Sequence, residues 1–495
     1  MSGSIVEIPP RPALTDYEAI AHLAPSVESL RALAASVVEA FRGRTLWMVN
    51  STAQGGGVAE MLPTMVTLLN ELGIDTRWFV IETEEEPFFH LTKGIHNMIH
   101  GSGDPSMVDG EEARAVYDEV NAANAATLAQ RMKDGDVLVV HDPQPMGLAG
   151  HLRSRFDIST IWRCHIGLDE TNEATRAAWD FLEPYAPDYQ RAVFSADEYI
   201  PDFFRDRATL IYPAIDPLSQ KNRELHLHSV VGILANAALA VPPGPVVQPP
   251  FPHIAQRLQA DGRWSPAVLP ADIGVLVRPI VTQISRWDRL KGWRPLMEGF
   301  VQLKERFFSG HNDRPAIERR RLNQVRLIMA GPDPASIQDD PEGLEVIEEL
   351  RRAYVALDDE MKHDIAMIAL PMNNPDENAL MVNALQRSST VIVQNSLREG
   401  FGLTVTEAMW KRIPVLSNTR AVGPRQQITH ACDGWLISDP EDPSQIADGL
   451  DFLLNDRGER AALARTAQRR AHQQFMIFSQ LEDWLRLLQE TSPGA

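Results

Sequence analysis

Two series of short β-type runs, separated by helical stretches, constrain the fold of this chain more than any other feature. The first series spans residues 44–213 and the second begins at Pro279. Strands that alternate with helices form parallel sheets covered by helices. The sequence therefore predicts an α/β protein with two doubly wound domains and a cleft between the carboxyl ends of their sheets. The predicted strands are Thr45–Val49, Thr76–Ile81, Val137–Val140, Thr160–Trp162, Ala192–Phe194, Thr209–Tyr212, Pro279–Ile284, Val325–Ala330, Ile365–Leu370, Thr390–Gln394 and Pro414–Leu416.

Residues 222–275 interrupt this pattern. The stretch Val241–Pro270 contains eight prolines and little periodicity, so we expect no regular elements within it. We interpret residues 222–275 as an insertion or linker between a domain over residues 1–221 and a domain over residues 276–473.

Composition excludes several classes of function. A net charge of −20 argues against a nucleic-acid-binding or anionic-membrane-binding surface. No apolar run approaches the roughly 20 residues that span a bilayer, and the first ten residues lack the features of a signal peptide. The only cysteines are Cys164 and Cys432, which fits a reducing compartment, and no Cys/His cluster has zinc-ligand spacing. We expect a cytoplasmic protein without a structural metal.

An acidic loop indicates the ligand. Glu399 and Glu407 bracket a Gly-x-Gly turn between a predicted strand and an apolar helix. Free N–H groups at Gly402, Leu403 and Thr404, together with the helix dipole, favour an anion such as a diphosphate. Carboxylates accept hydrogen bonds from sugar hydroxyls. A nucleotide-sugar has both chemical groups.

Three consecutive glycines, Gly55, Gly56 and Gly57, lie between the first predicted strand and its helix. Glycine lets the backbone approach a ligand closely, so we predict contact with the donor's transferred sugar or its diphosphate. The alternative is a tight strand-to-helix turn, which needs fewer glycines.

A second loop, after the predicted strand Val137–Val140, carries His141, Asp142 and Gln144. Flanking prolines restrict the loop and present these polar groups to the predicted cleft, where they can bind the hydroxyls of an acceptor sugar. A purely structural turn is the alternative.

The spacing of Glu399 and Glu407 resembles the acidic motif of retaining, GT-B-fold glycosyltransferases of family 4. Further segments narrow the resemblance to the trehalose glycosyltransferring synthases, and it runs from about residue 40 to 470 with one interruption. These segments are Asn50-Ser-Thr-Ala-Gln-Gly-Gly-Gly-Val-Ala-Glu60, Thr92-Lys-Gly-Ile-His-Asn97, His141-Asp-Pro-Gln-Pro145, Trp162-Arg-Cys-His-Ile166 and Pro213-Ala-Ile-Asp-Pro217.

The resemblance assigns roles to individual residues. It implies that Arg286 and Lys291 bind the donor diphosphate and that His165 contacts the primary hydroxyl of the donor sugar. It also implies that Glu399 holds the ring hydroxyls and Glu407 the nucleotide ribose. The first domain would then be the acceptor side and the second the donor side, with the final helix, within residues 474–495, crossing back to the first domain.

Two positions depart from the family pattern. Gly167 stands where an acid is expected, which puts a sugar contact there in doubt. Gly423 and Pro424 replace a common double glycine, and proline removes one backbone N–H donor.

The resemblance implies transfer of glucose from a nucleoside-diphosphate glucose to a sugar with retention, and free glucose is the first candidate acceptor, giving α,α-trehalose. No metal is required, because protein cations neutralise the diphosphate. The alternatives are a trehalose phosphorylase, another retaining sugar transferase, or a non-catalytic nucleotide-sugar-binding protein. The resemblance allows a homodimer. The nucleotide base and the oligomeric state cannot be read from the sequence.

Overall fold

A computed structural model describes residues 3–53, 56–241, 244, 251–267, 273–309, 315–337 and 341–491. The chain forms two compact units, Met1–Asp216 together with Gln474–Ala495, and Pro217–Gln473. No helix in the described part of the chain combines the length and the apolarity that a bilayer crossing needs.

The first unit is built on a seven-stranded sheet. Its strands are β1 (Ser4–Ile5), β2 (Leu46–Asn50), β3 (Thr76–Val80), β4 (Val137–His141), β5 (Ser159–Arg163), β6 (Arg191–Phe194) and β7 (Ala208–Leu210). Their order is β1-β3-β2-β4-β5-β6-β7, with β1 antiparallel at one edge and the others parallel. The order of the parallel strands reverses between β2 and β4. Ligands of doubly wound sheets bind at the carboxyl ends of the strands at such a reversal.

Helices surround this sheet, which explains why every residue of β2, β4 and β5 is buried. The α-helices are Leu14–Glu18, Ala24–Val38, Gly56–Glu71, Glu86–Ile99, Glu111–Leu128, Leu148–Arg153, Glu173–Leu182 and Ile477–Glu490. The short 3-10 helices are Pro105–Val108, Glu183–Asp188, Asp197–Tyr199 and Asp202–Phe204.

The second unit has an eight-stranded sheet. Its strands are β8 (Gln256–Leu258), β9 (Trp264–Pro266), β10 (Ile280–Ile284), β11 (Arg326–Pro332), β12 (Ile365–Leu370), β13 (Val391–Val393), β14 (Val415–Asn418) and β15 (Trp435–Ile437). Their order is β15-β14-β13-β10-β11-β12-β8-β9. The strands from β15 to β12 are parallel, and their order reverses between β10 and β13. Both units are therefore doubly wound in the same way.

Two hydrophobic clusters lie on opposite faces of this sheet and hold helices of the second unit, most of which lie between strands in the sequence. The α-helices are Leu227–Asn236, Trp293–Ser309, Ala316–Gln324, Pro341–Val355, Asp359–Asp364, Pro375–Ser388, Leu403–Trp410, Val422–Gln427, Pro443–Asn455 and Arg457–Gln474. Two 3-10 helices are Arg289–Lys291 and Pro334–Ser336.

The expectation of no regular elements within Val241–Pro270 is wrong. Both β8 and β9 lie there, and they extend the sheet in an antiparallel direction, with Arg257 opposite Ile368 of β12. The preceding helix, Leu227–Asn236, packs on the same unit through Val230 and Leu234. Three-residue strands are too short to show periodicity, and the partner that joins β8 to the sheet, β12, lies more than 100 residues away.

Candidate functional site

Lys291 and Glu399 form an ion pair in the second unit; the resemblance assigns the first to the donor diphosphate and the second to the ring hydroxyls, and we predict both to be catalytic. Lys291 Nζ lies 2.7 Å from Glu399 Oε2, and the two side chains are only 12% and 16% exposed. Gln394 Nε2 and Ser396 Oγ donate to the same oxygen at 2.9 Å each. Burial opposes ionisation of Glu399, but the positive charge and the hydrogen bonds outweigh it, so the pKa of Glu399 lies below its ordinary value. This carboxylate is ionised at neutral pH.

The sheet brings this pair together. Lys291 follows β10 and Glu399 follows β13, the adjacent strands at which the strand order reverses. The two loops are joined where Leu397 N donates to Leu290 O at 2.7 Å. They approach so closely at Gly292, whose φ is +59°, that a Cβ there would lie 2.2 Å from Asn395 O. Only glycine meets both conditions.

The predicted anion site at Gly402, Leu403 and Thr404 lies beside the pair. Helix Leu403–Trp410 begins directly after Gly402, which has a φ of +80°. A Cβ at Gly402 would lie 2.9 Å from Glu399 Cγ, so glycine allows the acid and the helix start to pack together. The first N–H groups of a helix have no acceptor within the helix and favour an anion.

Two other predicted donor-site residues are not part of this ion pair. The Arg286 side chain is 75% exposed and lies 3.6 Å from Asp288 Oδ2, although its charge contributes to the low pKa of Glu399. Glu407 is 5% exposed, and its Oε2 accepts a hydrogen bond from Gln386 Nε2 at 2.9 Å. Glu407 thus belongs to a separate polar network on the helix that begins at Leu403.

In the first unit, the structure brings His141 and His165 together. Their rings stack with centroids 5.3 Å apart, and His141 Nδ1 lies 3.0 Å from His165 Nε2, so one ring donates to the other. Asp142 Oδ1 accepts a hydrogen bond from His165 N at 2.9 Å. Asp142 has a φ of +64°, a left-handed conformation that aspartate tolerates better than most residues. This aspartate therefore has a structural role in addition to its predicted acceptor contact.

Burial controls the protonation of this cluster. It lowers the pKa of His141 to about 3, with a further contribution from the charge of Arg163. The pKa of His165 is lowered by the same two causes. Burial raises the pKa of Asp142 to about 6, against the opposing effects of the His165 amide and Arg163. Both imidazoles are therefore neutral at pH 7, and they can take part in hydrogen bonding but not in ion pairing.

Two buried polar atoms beside this cluster are unsatisfied. His141 Nε2 and Gln144 Oε1 have no hydrogen-bond partner within the described ranges. Buried polar groups are normally paired with protein, water or ligand. Both atoms lie at the carboxyl end of β4, next to the reversal of strand order.

Two of the three consecutive glycines, Gly56 and Gly57, lie among the described residues. Gly55 lies outside the described residues. Gly56 begins the helix that follows β2, and a Cβ on Gly57 would meet no heavy atom within 4 Å. Packing within the protein does not require glycine at residue 57, and the ligand contact remains a prediction.

The structure explains both departures from the family pattern. A Cβ at Gly167 would lie 2.2 Å from Tyr199 Cγ, so the tyrosine occupies the place of a side chain there. Pro424 lies in the first turn of helix Val422–Gln427, where an N–H would lack an acceptor within the helix. Its neighbour Gly423 N donates to Glu399 O at 3.2 Å.

We predict that Gly167→Ala lowers the free energy of unfolding by about 1–3 kcal/mol, as overpacking in a core does. The added methyl group would overlap with buried Tyr199. Urea denaturation of the native protein, Gly167→Ala, Tyr199→Ala and the double variant measures this. Because truncation of the tyrosine relieves the overlap, the double variant is expected to be less destabilised than the sum of the single variants. Strict additivity would contradict the steric explanation.

Sequence reasoning missed the residues that hold the candidate site residues in place. Gln394 and Ser396 bind Glu399, while Gln386 binds Glu407. The run Gln394-Asn395-Ser396 directly after an apolar strand was a usable signal, since polar residues at a strand's carboxyl end face the ligand side of a doubly wound sheet. Gln386 lies within a helix, and no local pattern distinguishes it.

Comparison with solved structures identifies the fold. The chain superposes on an α,α-trehalose-phosphate synthase (UDP-forming) from Burkholderia vietnamiensis with a TM-score of 0.61 and 18% identity, covering 90% of this chain and 98% of the other. The fold is GT-B, with two Rossmann-like domains.

Sequence comparison identifies the class of enzyme and the family. The model of the trehalose synthase N-terminal domain matches residues 48–201, and that of glycosyl transferases group 1 matches residues 277–470. The chain is 33% identical to the trehalose synthase of Thermococcus litoralis over 463 residues, which cover 93% of this chain and 94% of the relative. The chain belongs to the trehalose synthase family of hexosyltransferases. The chain is also 24% identical to a trehalose phosphorylase of Pleurotus sajor-caju. This match covers 82% of the chain and 52% of the phosphorylase.

Proposed function

We propose that the protein transfers a glucosyl unit from a nucleoside-diphosphate glucose to free glucose, with retention, and so forms α,α-trehalose. The observation that carries the proposal is the Lys291–Glu399 ion pair beside the helix start at Gly402. A cation, an ionised acid and free amide groups match the diphosphate and hydroxyls of such a donor. Similarity to a trehalose synthase over nearly the whole chain supports glucose as the acceptor.

In the proposed reaction, negative charge builds on the departing diphosphate as the bond to the anomeric carbon breaks. Lys291, Arg286 and the amides after Gly402 stabilise that charge electrostatically. A diphosphate oxygen takes the proton of the incoming hydroxyl on the same face, which retains the configuration. Glu399 holds the hydroxyls of the transferred sugar and Glu407 the ribose. Protein cations perform the neutralisation, so the scheme needs no metal.

The first unit supplies further contacts to sugar hydroxyls in this proposal. His141 Nε2 and Gln144 Oε1 are buried and unsatisfied within the described ranges. A hydroxyl both donates and accepts hydrogen bonds, so it matches an imidazole nitrogen and an amide oxygen. We assign Gln144 and His141 to the acceptor and His165 to the donor's primary hydroxyl, with Asp142 fixing the His165 backbone.

Phosphorolysis of trehalose is the second candidate. The similarity to a trehalose phosphorylase favours it, and the same cation and helix start would bind inorganic phosphate. Membership of a family of enzymes disfavours the third hypothesis, a non-catalytic nucleotide-sugar-binding protein.

A matrix of donors and acceptors tests the proposal. We expect a nucleoside-diphosphate glucose and glucose to give a disaccharide whose two anomeric centres are both α by proton NMR. A parallel reaction contains trehalose and inorganic phosphate without any nucleotide, and it tests for phosphorolysis. Release of glucose 1-phosphate in that arm, without transfer from any nucleotide-glucose, would favour the phosphorylase. An inverted product would refute the retaining mechanism whatever the acceptor.

A further inference from the structure

A cavity of about 390 Å³ lies within the second unit, and none of the predicted donor-site residues lines it. The segment that interrupts the sequence pattern forms one wall, and the end of helix Pro375–Ser388 forms another. The cavity is large enough for a small organic ligand. Its lining residues are Leu225, Leu227, Val230, Val275, Leu276, Arg278, Arg387, Ser388 and Lys411.

Three cations and no acid are among these lining residues, in a protein with a net charge of −20. Arg278 forms no side-chain hydrogen bond or ion pair with any residue that the structure describes. Arg387 donates to three neutral oxygens, Asn383 Oδ1 and Arg223 O at 3.0 Å each and Asn222 O at 3.4 Å. No carboxylate is among the lining residues, although the charge of Glu224, next to Leu225 in the sequence, opposes the lowering of the Arg387 pKa by burial.

Lys411 has the most restricted environment of the three. It is 8% exposed, and its Nζ donates to Gln386 Oε1 at 2.6 Å and to Asn222 Oδ1 at 3.1 Å, both neutral acceptors. Burial lowers the pKa of Lys411 to about 7, although the charge of Glu407 opposes this. A buried cation held only by neutral groups gains stability from an anion.

The remaining lining residues define the second property of the ligand. Five of the nine lining residues are leucine or valine, and one of them, Leu227, is 78% exposed. Exposed leucine next to cationic groups fits a molecule with an apolar part attached to an anionic group.

We propose that this cavity binds a small organic anion in which a phosphate or carboxylate is attached to an apolar group. The anion contacts Arg278, Arg387 and Lys411, and the apolar group contacts Leu227 and Val275. None of the residues assigned to the donor lines this cavity, although Gln386 bonds to both Lys411 and Glu407, and the inference does not depend on the proposed function.

Isothermal titration calorimetry of the full chain with phenyl phosphate tests the site, and inorganic phosphate is the comparison ligand. We expect one saturable site that prefers phenyl phosphate. Arg278→Gln is expected to weaken binding about tenfold or more, as the loss of a charge-assisted hydrogen bond does. Since Arg278 has no partner among the described residues, this variant is expected to fold normally. Arg352→Gln is the matched control, because it removes an equal charge from an exposed arginine elsewhere in this unit.

The donor site can also bind phosphate, so Arg286→Gln separates the two sites. Binding that survives Arg286→Gln and is weakened by Arg278→Gln supports the cavity. Binding lost in Arg286→Gln and unchanged in Arg278→Gln, or no saturable binding by the native protein, overturns the proposal. The assay contains neither sugar donor nor acceptor, so its outcome is independent of whether the protein makes trehalose.

Discussion

Replacing Lys291 by glutamine is expected to lower the rate of glucosyl transfer by about 10²- to 10³-fold, comparable to the loss of one oxyanion-stabilising donor. In the proposed mechanism, the variant lacks a cation beside the departing diphosphate. It also leaves Glu399, which is 16% exposed, without its ion-pair partner, so the pKa of that acid rises. Steady-state measurement of kcat at saturating donor tests the rate.

Arg289→Gln is the control for this variant. Arg289 lies two residues from Lys291 in the same 3-10 helix, but its guanidinium is 50% exposed and pairs with Glu349 and Glu345. The Arg289→Gln variant loses the same charge as Lys291→Gln, but Arg289 is not assigned to the diphosphate. We therefore expect its kcat to stay within about twofold of the native value. Equal losses of kcat in the two variants would indicate a general electrostatic effect. A Lys291→Gln variant with native kcat would show that this residue has no part in the mechanism.

Gly423→Ala is expected to disturb both stability and turnover. The new Cβ would lie 2.2 Å from Phe401 O and 2.3 Å from Phe401 Cα. These are backbone atoms, which cannot rotate away as a side chain does, so the loop that carries Glu399 must move. We expect the free energy of unfolding to fall by about 1–3 kcal/mol or more. The transfer rate should fall as well, because Gly423 N also binds Glu399 O.

Gly232→Ala is the matched substitution. Gly232 lies within helix Leu227–Asn236, and a Cβ there would meet no heavy atom within 4 Å. Alanine is favoured over glycine inside a helix by up to about 1 kcal/mol, so this variant should be as stable as the native protein or more so. Urea denaturation and kcat of both variants give the comparison. A Gly423→Ala protein as stable and active as Gly232→Ala would contradict the close contact with Phe401.

Much of the fold could be predicted from sequence because its central strands are buried on both faces. Runs such as Val137–Val140 are continuously apolar, and each predicted strand occurs in the structure with ends displaced by at most two residues. The missed strands are short or at an edge of a sheet: Ser4–Ile5, Gln256–Leu258, Trp264–Pro266 and Trp435–Ile437. Two or three residues are too few to show a strand pattern, and Ser4–Ile5 and Gln256–Leu258 also pair with strands far away in the sequence.

The part of the candidate site that follows from strand order could be predicted from the sequence. Residues that follow β10 and β13 meet because those strands are neighbours, and Lys291 and Glu399 do so. Spacing alone did not indicate that Glu407 pairs with Gln386 or that Tyr199 fills the space at Gly167. Those contacts are made by side chains far apart in sequence, so they follow from the packing of the fold and not from any motif.

The two short strands of the insertion have a consequence for solubility. Without β8 and β9, β12 would be the outermost strand of the parallel sheet, and all six of its residues are apolar and buried. An uncovered strand of that kind offers its peptide groups to a second molecule and promotes aggregation. By pairing an antiparallel hairpin with β12, the proline-rich segment shields this edge of the parallel sheet.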